Sequence, residues 1–195
     1  HIVTSSNATA AYLAKRYPAG TKVHVLGMNG IRRALEDVGF DVDDHASQVD
    51  IVVCGIDFEL TYEKLKQATL RLQSEAAFYA TNPDKTFPST EGVIPGAGSL
   101  LAALETASGR TATVIGKPYA PMYEIALNRL GTAPSETLMV GDRIDTDIAG
   151  AQALGMPTVL LFTGVTTPEM LITSAIQPDV AYEDMPSLVR AWAGD

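Results

Sequence analysis

Three charged side chains stand where the sequence could do chemistry. Lys117 follows the apolar run TATVIG at 111–116, Asp142 follows TLMVG at 137–141, and Asp147 comes shortly after in GDRIDTDIAGA. Each cluster lies just after a strand-like segment and just before a helix-like one. In open parallel α/β sheets ligands bind beyond the carboxyl ends of the strands, so the two clusters are expected to point into one crevice. With Asp142 at a strand end and Asp147 in the first turn of the next helix, both carboxylates can turn back toward that end. Two hard oxygen ligands suit Mg²⁺, which takes few protein carboxylates and keeps its other positions for water and phosphate. A plainer role is open to the same residues: Asp145, Thr146 and Asp147 can cap a helix and complement its positive end. Arg143 reads as a salt-bridging or domain-facing residue. Lys117 lies between a glycine that lets backbone come close and a proline that sets the exit from the strand. An ammonium held there would neutralise charge crowded together when an anionic nucleophile meets a phosphate.

The elements that must position these groups alternate along the chain. HIVTS is a possible strand end and Ser5 to Arg16 a helix with a serine cap, stopped by Pro18 and Gly20. KVHVLG is expected as a strand. Asn29 to Val38 places Ile31, Ala34, Leu35 and Val38 on one helical face. VDIVVCG is a second strand, a helix capped by Thr61 carries Leu65, Ala68 and Leu72, and AAFYATN is a third strand. Residues 82–95, NPDKTFPSTEGVIP, show no periodicity and are expected as a substrate-facing loop. A helix from Ser99 to Ala107 follows. In the second half TATVIG, TLMVG, PTVLLF and DVAY are strands, with helices at Met122 to Leu130, Asp147 to Leu154, Glu169 to Ile172 and Ser187 to Trp192. Apolar strands alternating with helices predict a parallel sheet covered on both faces. The boundary between the two α/β units is placed near Gly109 and Arg110.

Composition narrows the field. The chain has 195 residues, 46% hydrophobic and 19% charged, enough for one large domain or two small ones. It carries a formal net charge of -9 and its 14 Lys and Arg form no block, so nucleic-acid and membrane partners are not expected. No apolar run approaches a membrane span and no signal segment opens the chain, from which a cytoplasmic location is expected. The one cysteine, Cys54, sits in an apolar run and reads as a buried small hydrophobe. His1, His24 and His45 are scattered without zinc spacing. GAGSLL at 96–101 lacks the third glycine of a dinucleotide fingerprint, and Lys117 is followed by proline rather than the Ser or Thr of a P-loop.

GKP at 116–118, followed by TLMVGDRIDTDIAGAQALGM, resembles the third and fourth motifs of haloacid dehalogenase (HAD) superfamily phosphatases. TSSNATAAYL, VLGMNGIRRALEDVGF, TYEKLKQATL, ATNPDKTFPSTEGVIPGAGSLLAALETASG and LLFTGVTT resemble, in order, the NagD and para-nitrophenyl phosphatase branch. The resemblance implies an α/β fold: the C-terminal part of a Rossmann-like HAD core at 111–195, and an inserted α/β cap domain at 1–110 whose first few residues can belong to core or hinge. It further implies a Mg²⁺-dependent enzyme that hydrolyses small-molecule phosphate monoesters through an aspartyl-phosphate. Lys117 would match the lysine that steadies nucleophile and phosphate, Asp142 the direct metal ligand, and Asp147 the carboxylate supporting the metal. Asn82, Asp84, Lys85 and Phe87 are the substrate-facing candidates of the cap, and a homodimer is a fair expectation. The family's D-x-D-G motif, which supplies nucleophile and acid, and its strand-end Thr or Ser occur nowhere in these residues. Thr4, Ser5 and Ser6 match the start of the cap and are not assigned to phosphate. The nucleophile is expected in a preceding segment of roughly 60 residues, and the 195 residues alone are expected to be inactive. The alternative is a noncatalytic α/β fragment that binds an anion or a partner.

Overall fold

The computed structural model describes residues 2–194, so His1 of the expected strand end lies outside the described residues. The chain forms two compact units that divide between Gly116 and Lys117. The first contains α1 (Ser5–Ala14), β1 (Lys22–Leu26), α2 (Asn29–Glu36), β2 (Asp41–Val42), β3 (Ile51–Cys54), α3 (Tyr62–Gln73), β4 (Ala77–Ala80), β5 (Thr86–Ser89), β6 (Gly92–Pro95), α4 (Ala97–Ser108) and β7 (Thr113–Val114). Its main sheet is parallel, in the order β2-β1-β3-β4-β7.

The period of two along β3 explains how this sheet is covered. Val52 and Cys54 face a core with Ala68 and Leu72 of α3 and Leu100, Leu101 and Leu104 of α4. Ile51 and Val53 face a second core with Ala10 and Leu13 of α1 and Ile31, Ala34 and Leu35 of α2. Both strand faces are therefore apolar, as a parallel sheet between helical layers requires. Cys54 is 1% exposed, and burial pushes its thiol up to about 12.

The second unit contains α5 (Ala120–Leu130), β8 (Met139–Gly141), α6 (Ala149–Ala153), β9 (Thr158–Leu161), α7 (Pro168–Thr173), β10 (Val180–Tyr182) and α8 (Met185–Ala193). Its parallel sheet runs β10-β9-β8, which leaves β8 at an edge. Leu160 packs with Ile144 and Ile148 on one face of β9, while Val159 and Leu161 pack with Leu188 of α8 on the other. Among the described residues no helix is long and apolar enough to cross a membrane.

Several expectations are corrected. Residues 2–4 form no strand, and the cap of α1 is Thr4, whose Oγ1 accepts the Asn7 N–H at 3.1 Å. The segment expected as a continuous loop holds the antiparallel pair β5–β6, with Phe87 opposite Ile94. Thr113–Val114, grouped by sequence with the second half, pairs with Tyr79 and Ala80 of β4 and extends the first unit's sheet. The runs before Lys117 and before Asp142 thus end in different sheets, so the shared-sheet premise for their convergence does not hold.

Candidate active site

Lys117 and Asp147 nevertheless meet within the second unit. Lys117 Nζ donates to Asp147 Oδ1 at 2.5 Å, and the Arg143 N–H donates to Asp147 Oδ2 at 3.2 Å. Asp147 is 3% exposed, so its charge is compensated in the way a buried carboxylate demands. What turns this side chain back toward β8 is a π turn at Ile144–Ile148, where a plain first helical turn is expected from the sequence. The amides of Asp147 and Ile148 both reach Arg143 O, at 3.0 and 3.1 Å. Single π turns of this kind concentrate at functional sites because the widened turn re-aims one side chain. A Cβ on Gly141 would lie 2.4 Å from Asp147 Cβ, so only glycine at the end of β8 admits the carboxylate.

Asp142 is set by a different segment. After β9 the chain turns through 162–167, and the Val165 N–H donates to Asp142 Oδ2 at 2.9 Å while the Thr166 N–H donates to Asp142 O at 3.1 Å. Thr166 Oγ1 in turn accepts the Ile144 N–H at 3.2 Å, tying this loop to the start of the π turn. Asp142 Oδ1 accepts no hydrogen bond from any described residue. Arg143 pairs with Asp145, Nη2 to Oδ2 at 3.1 Å, which holds the Asp145 carboxyl below the usual range.

Tyr123 escapes a reading of the sequence. Its hydroxyl donates toward Thr146 O at 2.7 Å and Asp147 O at 3.1 Å, which ties α5 to the π turn. Burial and the Asp147 charge push its phenol well above the ordinary value. The loop after β9 follows a strand end, as Lys117 and Asp142 do, but it acts through an amide and a hydroxyl that residue type does not mark; Tyr123, inside an apolar helix, lacks even the strand-end position.

The donor set fits a small divalent cation in one respect that the geometry makes plain. Asp142 keeps one carboxylate oxygen open, and Asp147 stands over the adjacent glycine. No three His, Cys, Asp or Glu side chains among the described residues gather in a way that could hold a metal. Two carboxylates, the rest being solvent and substrate, is the protein share Mg²⁺ ordinarily takes.

The four remaining candidates lie in the first unit. Asn82 Oδ1 accepts the Asp84 N–H at 3.2 Å in a side-chain-closed turn. Asp84 O accepts the Gly98 N–H and Lys85 O the Gly96 N–H, at 2.8 and 2.9 Å. A Cβ on Gly98 would lie 2.1 Å from Pro83 O, so the glycines of GAGSLL serve this close approach. Lys85 is exposed, and Phe87, 43% exposed, meets Phe58 edge to face with ring centres 5.8 Å apart.

A parallel α/β chain that holds a lysine against a buried carboxylate in the turn after a strand, with an open carboxylate at the strand's end, has the makings of a phosphate-ester hydrolase. Comparison makes the class definite. The HAD-hydrolase-like family model matches residues 114–188. The chain is 38% identical over 186 residues to an acid sugar phosphatase of Staphylococcus epidermidis, covering 94% of this chain and 70% of that one. It is similar to the crystal structure of 4-nitrophenylphosphatase from Thermotoga maritima, with a TM-score of 0.90, 35% identity, and 96% and 71% of the two chains covered. It is also similar to a magnesium complex of glycerol phosphate phosphatase from Mycobacterium tuberculosis, with a TM-score of 0.87, 33% identity, and 95% and 57% covered. The chain belongs to the HAD-like hydrolase family, and these relatives are phosphatases.

Proposed function

We propose that this chain is the greater part of a Mg²⁺-dependent phosphomonoesterase acting on a small-molecule phosphate ester through an aspartyl-phosphate. Its first unit serves as the cap. The observation that carries the reading is the Lys117–Asp147 pair beside the open Oδ1 of Asp142. Lys117, with about a third of its side chain exposed, neutralises Asp147 and keeps its ammonium within reach of an anionic substrate. Asp142, pinned through Oδ2, presents Oδ1 to the cation; Asp147 supports that position from the π turn. When bound, Mg²⁺ supplies polarisation of the phosphoryl oxygens and charge neutralisation. Nucleophile and acid come from a D-x-D-G segment outside these 195 residues, which contain no such motif. The magnesium complex of the glycerol phosphate phosphatase supports the metal. Asn82, Asp84, Lys85 and Phe87 are proposed to face the substrate.

The test is turnover of 4-nitrophenyl phosphate by protein carrying the D-x-D-G segment. Asp142→Asn is expected to reduce Mg²⁺-dependent kcat by about 10²-fold or more with an unchanged circular dichroism spectrum; undiminished turnover would remove Asp142 from the site. The 195 residues alone are expected to show none.

A further inference from the structure

A second polar recess lies wholly within the first unit. It has a volume of about 360 Å³ and is lined by, among others, His24 of β1, Arg32 of α2, Asp44, and Thr61, Lys64 and Arg71 at and along α3. The charges around it pair off, with one exception. Arg32 Nη1 meets Asp44 Oδ2 at 2.6 Å, Lys64 Nζ meets Asp57 Oδ2 at 2.9 Å, and Glu63 meets Lys66 at 2.5 Å. Arg71 has no carboxylate partner among the described residues.

The environment of Arg71 makes this unusual. It is 5% exposed, and four of its N–H bonds go to neutral oxygens: Nη1 to Gln67 O and Oε1, Nη2 to Asp44 O and Ala46 O. These bonds fix the guanidinium plane and leave Nε–H buried without an acceptor. His24, 4% exposed, has its Nδ1 in the same condition, 3.5 Å from Asp44 Oδ1. A buried cation uncompensated by a carboxylate is unfavourable, and hydrogen bonds to neutral oxygens offset only part of that cost unless an anion joins it. Two more features favour such an anion. The N-terminus of α3, a helix of 12 residues, opens onto the recess through Thr61 and Lys64, and Lys64 reaches it while bonded only to Asp57 and so has a proton to spare. The Asp44 carboxylate also lines the recess; Arg32 engages its Oδ2, while its Oδ1 is buried without a hydrogen bond, so a bound oxyanion has to keep clear of that oxygen or donate a proton to it.

We infer that this recess is a second binding site, for a free small-molecule oxyanion of the carboxylate or phosphate type, held by Arg71 Nε–H with Lys64 and the N-terminus of α3. Its volume suits a small metabolite. The site is separate from Lys117, Asp142 and Asp147 and does not depend on the proposed activity.

The test uses the 195-residue chain as it stands. Inorganic phosphate and, separately, acetate are titrated at constant ionic strength against chloride, following the Arg71 Nε–H and His24 ring signals by nuclear magnetic resonance. Saturable movement of both signals by either probe, unchanged in Lys117→Ala, is the expected result; which probe acts tells phosphate from carboxylate chemistry. Arg71→Gln, where its spectrum remains dispersed, should abolish the His24 response. Signals unmoved at about 20 mM of both probes, which would nearly fill a site of about 1 mM affinity, overturn the inference. So do equal movement with chloride, a response lost in Lys117→Ala, or a His24 response that survives in folded Arg71→Gln.

Discussion

The side chains that would touch the substrate depend on backbone groups more than on one another. Asp142 Oδ2 is held by the Val165 amide, and Gly164 makes room for it: a Cβ there would lie 1.9 Å from that oxygen. Gly164→Ala must therefore displace the carboxylate while touching little of the core. In protein carrying the D-x-D-G segment, kcat for 4-nitrophenyl phosphate is expected to fall about 10²-fold with nearly unchanged thermal stability, since a displacement of about 1 Å can cost that much. A comparable loss of melting temperature would show a structural role instead. Lys117, Asp142 and Asp147 were legible because residue type and strand-end position both mark them. Val165, Thr166 and Tyr123 were not, because they act through an amide, a hydroxyl closing a loop, and a hydroxyl capping carbonyls, roles that many residue types fill.

At the scale of elements the long apolar strands and periodic helices were legible and the short or irregular pieces were not. β2 is two residues long and β5 contains Pro88, so neither shows alternation strong enough to read. The π turn looks like an ordinary helix start, since its sequence IDTDI has the acidic character of a first turn. β1 carries a less obvious consequence. Burial first, then Arg71, push His24 down to about 4, against the opposite pull of Asp44 and with a smaller push from Arg32. An unfolded chain titrates this residue near 6.5. Between these values the unfolded chain binds more protons, so the contribution is fully present above pH 6.5 and is lost as pH falls toward 4. The loss is on the order of a few kcal/mol. His24→Gln should flatten the pH dependence of urea unfolding across that window, and an unchanged slope would refute the assignment.

For the molecule as a whole, the two units are unequal in what they can bury. Among the described residues the first has two large cores on opposite faces of a five-stranded sheet, whereas the second has smaller clusters and an edge strand, β8, next to the candidate-site turn. Residues 1–116 are accordingly expected to fold alone, giving a dispersed amide spectrum and one cooperative thermal transition; a collapsed spectrum would show that they need the rest of the chain. The Gly109 signal marks where α4 stops in a left-handed cap, at φ 68°, while β7 still belongs to the first sheet. A turn residue reports the end of a helix, and a strand's membership in a sheet is decided by long-range pairing that local sequence does not encode. The placement of Cys54 provides a clock for this unit. The chain's one thiol lies at the end of the central strand β3, sealed on the α3–α4 side and held in its unreactive protonated form. Alkylation by iodoacetamide should then proceed only as fast as the first unit opens, insensitive to events in the second, and labelling rates against urea would read out its opening free energy directly.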